Sequence, residues 1–167
     1  MRMKLQARIG LGALALAGAG TALLQLVPYG REHTNPPVTA EPAWPSSQTR
    51  ALAVRACFDC HSNQTKWPWY SNIAPLSWGI QHDIDQGRAT LNFSEWNRPQ
   101  EGADNAADLV AQGEMPPTRY SIVHSEAQLS AEEKQLLVGM MASIGGDRRG
   151  RQSGPGGGDG RGRNRAP

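Results

Sequence analysis

Cys57-Phe58-Asp59-Cys60-His61 constrains this chain more than any other stretch of it. Two thiols one helical turn apart, followed at once by an imidazole, form the C-x-x-C-H spacing at which both sulfurs add to the vinyl groups of one porphyrin and a histidine meets its iron. A haem is the largest apolar object a small domain can enclose, so the motif points to a fold built around a flat macrocycle. The competing reading is a disulfide, because closely spaced cysteines pair readily in an oxidising compartment. His61 favours haem. With two Cys in all, the chain has no wider disulfide framework.

The 167 residues allow one domain of ordinary size plus tails. Basic residues end at Arg8, and the run from Ile9 to Val27 is uncharged. At about 19 residues and roughly 28 Å as a helix, that run just matches the hydrocarbon thickness of a bilayer. A cleaved signal peptide with Ala17-Gly18-Ala19 as its small-x-small site is the rival. The apolar run extends beyond that site to Leu26 and Val27, which favours an uncleaved anchor. Either way the basic end stays in the cytoplasm, and the cysteine-bearing part is expected in the bacterial periplasm.

The chain divides into an anchor at 1–30, a proline-rich spacer at 31–45, a folded domain at 46–145 and a Gly/Arg-rich tail at 146–167. The tail has no large apolar residue and is expected to be disordered. From Glu32 to Gly146 there are seven basic and thirteen acidic side chains, net −6, although the whole chain is +2. Positive charge sits in the ends, so the composition excludes a nucleic-acid-binding domain and suits transient docking with cationic redox partners.

Helical patterns fill the folded part. Ser46 or Ser47 is placed to cap a helix running to Cys57, and Pro75 to open a second running towards Arg88. A third is expected over Ala103 to Ala111 with Gly113 as its stop. A fourth opens with a capping box at Ser130–Glu133 and ends at Gly145-Gly146. No run alternates as a strand does, so the fold expected is all-α, a small cytochrome c-like helical domain around one haem. The indoles of Trp67, Trp69 and Trp78 crowd one short stretch and are expected to wall the haem pocket.

His61 fills one axial position of the iron, and function turns on the other. Met115 in Gly113-Glu114-Met115-Pro116-Pro117 is the preferred sixth ligand, a soft thioether on a loop held by two prolines. His82, His124 and an open position are the rivals, while Met140 and Met141 read as core and His33 as an inert spacer residue. Two protein ligands make an electron carrier, whereas an open position permits gas or peroxide chemistry. A thiol-disulfide oxidoreductase would need a βαβ pattern that is missing here.

The stretches CFDCHSNQTKWPWYSNIAPLSW, GRATLNFSEW, GEMPPTRYSIVH and LSAEEK, in that order and with NPPV before them, resemble the haem-binding domain family of bacterial exported or membrane-anchored proteins. The resemblance covers roughly residues 36 to 144 and leaves the Gly/Arg tail outside. It implies one covalent haem c on Cys57 and Cys60, His61 as proximal ligand, and a cytochrome-like fold. The resulting expectation is a monohaem cytochrome tethered to the inner membrane that passes single electrons between transient redox partners. The alternative is a haem-based sensor or peroxidase-like protein with an open sixth position.

Overall fold

The computed structural model describes the backbone of residues 2–152 and the side chains at 6 and at 8–144. Among these residues the chain forms seven α-helices and no strand, as the pattern requires. The helices are α1 (Arg2–Leu24), α2 (Ser47–Ala56), α3 (Phe58–His61), α4 (Leu76–Thr90), α5 (Ala103–Gln112), α6 (Thr118–Val123) and α7 (Ala131–Gln152). Short 3-10 turns lie at Trp69–Asn72 and Ser125–Ala127.

Local chemistry sets most of these boundaries. Ser46 caps α2 in a reciprocal box with Thr49, each side chain taking the other's backbone N–H at 3.1 Å. At the start of α7 the Glu133 N–H donates to Ser130 Oγ at 3.2 Å, and the Ser130 N–H donates to Glu133 Oε2 at 2.9 Å. Gly113, at φ 78°, ends α5 in the left-handed conformation that glycine adopts without a Cβ penalty.

The core joins α2, α5 and α7 through Leu52, Ala53, Ala106, Val110, Leu137, Met140 and Ile144. Phe58 and Phe93 stack at its centre, 5.6 Å apart, and Trp44 and Trp96 close around Phe93 at 5.4 and 5.9 Å. These rings supply large apolar area where short helices alone would leave gaps.

Four expectations change. The helix at the start ends at Leu24 rather than continuing to Val27, because Gln25 turns away and joins the domain: its amide donates to Ala74 O and accepts from Ala74 N, at 2.9 and 3.0 Å. Among the described residues no helix is long and apolar enough to cross a membrane. At the other end α7 does not stop at Gly145-Gly146 but continues to Gln152. The rest of the expected tail, 153–167, lies outside the described residues.

Residues 31–45 form a strap along the domain instead of a projecting spacer. Asn35 donates to Thr65 O at 2.9 Å, and the Thr39 N–H to Ser94 O at 2.8 Å. Ala40 makes an isolated parallel bridge with Glu95. Arg50 donates to both carboxylate oxygens of Glu41 at 2.7 Å. His33 is part of this docking, stacked on Trp67 at 4.5 Å and hydrogen-bonded to Ser71 Oγ at 2.9 Å. Proline removes donors from the strap, so side chains such as Asn35, Thr39 and Glu41 carry much of its attachment.

Candidate haem site

α2 ends at Cys57, whose φ of −127° breaks the helix and starts the short turn α3. Phe58 turns into the core at 2% exposure, so residues 57, 60 and 61, at i, i+3 and i+4, share the opposite face. That face meets a cavity of about 320 Å³, within the range of about 300–1,000 Å³ usual for ligand pockets. Cys57 at the junction of α2 and α3 and Cys60 and His61 of α3 line it, and Leu109, Val110 and Met115 line it from α5 and the loop after it. The lining is mainly apolar, with Ala56, Leu91, Phe93, Ala106 and Met141 also present.

His61 is oriented by α4. Its Nδ1 lies 3.1 Å from Gly87 O and 3.0 Å from Leu91 O, so an N–H there donates to carbonyls at the helix end and Nε2 is left as the coordinating nitrogen. The aromatic loop between Pro68 and Pro75 supplies no acceptor to this ring. Burial holds the imidazole below its usual pKa, opposed by those two carbonyls, which favours the neutral ring a metal needs. The Phe93 N–H donates to His61 O at 2.8 Å and fixes the motif's last residue from the other side.

Gly87 allows this approach. A Cβ on it would stand 2.3 Å from Cys60 O, closer than any real side chain sits, so α4 and α3 touch only because position 87 has none.

Cys57 and Cys60 are free thiols. Burial pushes Cys57 up to about 12, and burial with the nearby Asp83 and Asp59 carboxylates pushes Cys60 up to about 11. A dithiol oxidoreductase needs a lowered thiol pKa, and this environment does the reverse.

Met115 is held from α5. The N–H groups of Glu114 and Met115 both donate to Leu109 O, at 2.9 and 3.2 Å, before Pro116 and Pro117 redirect the chain into α6. The Met115–Pro116 peptide bond is cis. α6 closes back on the cysteine helix: the Tyr120 hydroxyl donates to Asp59 Oδ2 at 2.6 Å, and Arg119 Nη2 donates to both Asp83 oxygens at 2.8 Å. All four of these side chains line the cavity. The sequence alone does not single them out, although Asp59 lies inside the C-x-x-C-H motif and Tyr120 five residues past Met115.

The structure therefore gathers Cys57, Cys60, His61 and Met115 around one cavity and leaves the other expected residues elsewhere. Trp67, Trp69 and Trp78 do not line it: Trp67 stacks on His33, Trp69 is 76% exposed, and Trp78 is partly buried on α4. His82 is exposed on α4. His124 sits outside the lining, its Nε2 2.9 Å from the Tyr70 hydroxyl. Met141 lines the cavity and is also buried at 2% in the core cluster.

The sequence model of the haem-binding domain family matches residues 19–143. The chain belongs to the haem-binding domain family. This haem-binding domain is also similar to the cytochrome c peroxidase Ccp of Escherichia coli (strain K12), 27% identical over 154 residues. The match takes in 84% of the present chain and 33% of that protein, so the domain spans about a third of its relative's length. No solved structure matches the chain.

The residues present fit a haem: two free thiols and a neutral imidazole with one nitrogen engaged, at the edge of an apolar cavity. Thioether bonds would run from Cys57 and Cys60, and His61 Nε2 would ligate the iron. The thioether of Met115 is the soft donor on the α5–α6 side.

Proposed function

We propose that this chain is an exported monohaem c-type cytochrome that carries single electrons between redox partners. The observation that carries the reading is Met115 on the wall of the same cavity as Cys57, Cys60 and His61, with His82 and His124 both outside it. The bound haem supplies a one-electron ferric/ferrous couple, and methionine ligation favours the ferrous state relative to a second imidazole. Around it, Gly87 O and Leu91 O hold the His61 ring in one tautomer, Leu109 O holds the Met115 backbone, and the apolar lining keeps water from the ring face.

Attachment through C-x-x-C-H is carried out in bacteria beyond the inner membrane, so the domain belongs to the periplasm. The segment of α1 with its basic start is then an export signal. The similarity to a cytochrome c peroxidase favours a second reading, a peroxidase-type site with an exchangeable sixth position.

The test is an optical spectrum of the full chain matured in a host that attaches haem c, recorded oxidised, reduced, and reduced under carbon monoxide. An electron carrier shows a sulfur-to-iron charge-transfer band that Met115→Ala abolishes, and it excludes carbon monoxide until that substitution is made. Ready carbon monoxide binding by the native protein, without the band, gives the site to the peroxidase reading.

A further inference from the structure

Four aromatic rings join the cavity to solvent. Tyr120 lines the cavity, and its ring stacks on His124 with centroids 4.2 Å apart and planes 15° apart. His124 Nε2 lies 2.9 Å from the Tyr70 hydroxyl. Tyr70 meets Trp69 edge to face, with centroids 5.7 Å apart, and Trp69 is 76% exposed. An indole this exposed contributes little to the core, and neither the cavity nor the strap uses it. Ile122 and Val123, on the same short helix as Tyr120, are 71% and 66% exposed.

We propose that Trp69, Tyr70, His124 and Tyr120 form the path by which single electrons pass between the haem cavity and the protein surface, with the Trp69 indole as the outer terminal. The inference rests on the electron-carrier reading and names its route. Electronic coupling decays steeply across empty gaps and far less through conjugated rings that stack or share a hydrogen bond. Here a stack, a hydrogen bond and an edge contact replace the gaps from cavity wall to solvent. One electron delivered at Trp69 by a one-electron donor reduces ferric haem to ferrous, the donor is oxidised by one electron, and no atom is transferred.

The probe is a ruthenium polypyridyl complex attached through maleimide to the thiol of the Trp69→Cys variant, the native cysteines being occupied by haem. Flash excitation sends one electron from the excited ruthenium(II) complex to ferric haem, and the ruthenium(III) left behind takes it back. Tyr120→Leu, His124→Leu and Tyr70→Leu, each added to the labelled protein, are expected to slow the forward step about tenfold or more. The same label on Val38→Cys, an exposed strap position, should be indifferent to all three leucines.

Three independent links keep the test open if one variant matures poorly. Haem-loaded variants whose rates do not respond to any leucine substitution overturn the path alone. A chain that matures without haem overturns the electron-carrier reading together with it.

Discussion

Gly87 is where His61, the cysteine helix and α4 meet, and it has the least room for change. A Cβ there would lie 2.3 and 2.9 Å from Cys60 O and C, both backbone atoms that cannot swing aside. Gly87→Ala should therefore cost about 1–3 kcal/mol and push away the carbonyl that orients His61. Guanidinium denaturation and haem absorbance per chain measure both effects. Gly79, on the same helix with open space where a Cβ would project, is the control: Gly79→Ala should stabilise by about 0.5–1 kcal/mol. Equal midpoints for the two variants would contradict the packing. The contrast also shows what is legible at this scale. Cys57, Cys60, His61 and Met115 stand out in the sequence because covalent and ligand chemistry demands those side chains. Gly87 and the carbonyl of Leu91 do not, because their roles depend on an approach between helices that spacing does not encode. Trp67, Trp69 and Trp78 mislead for a related reason: aromatic density signals apolar contact but does not say which void each ring meets.

Among the elements, α6 carries more function than its six residues suggest. It follows the Met115 loop directly and is tied to α3 by Tyr120–Asp59 and to α4 by Arg119–Asp83, so it clasps the Met115 side of the cavity to the cysteine side. The Arg119–Asp83 pair is largely exposed and adds little stability. The shorter Tyr120–Asp59 bond is more sheltered, and burial with the Asp59 carboxylate raises the phenol's pKa, keeping it a donor. Tyr120→Phe should cost about 1–2 kcal/mol in guanidinium denaturation, and Asp59→Asn added to it should cost little more. Full additivity in that double-mutant cycle would rule out the clasp. α6 is invisible to sequence periodicity because a helix this short shows none, whereas a serine cap at 46 or 47 marks the start of α2 and a capping box at Ser130 marks that of α7. The end of α7 lies beyond its Gly pair because such a pair only permits termination. The helix continues to Gln152.

For the molecule as a whole, the strap over 31–45 decides how the haem domain is closed, and its attachments titrate. The guanidinium of Arg50, against the opposing effect of burial, holds the Glu41 carboxyl below its usual range, while Asn63 and Arg98 do the same for Glu95. Glu41 ties the strap to α2, and Glu95 hydrogen-bonds Asn63, whose amide also donates to Pro37 O at 3.0 Å. A carboxylate with a depressed folded-state pKa stabilises the fold above its unfolded value of about 4.3, and that contribution is lost as pH falls through the lower folded value. Acid should therefore weaken the strap before the core, which holds together by apolar contacts indifferent to protons. Thermal midpoints of the mature protein at pH 6 and pH 3 would fall farther in the native chain than in Glu41→Gln or Glu95→Gln, which begin lower and have less to lose. Protease cleavage within 31–45 should rise over the same window, while the haem spectrum holds. If the variants instead track the native curve in parallel, the two carboxylates are bystanders and the strap is held by its backbone bonds and by Trp44 against the Phe58–Phe93 stack.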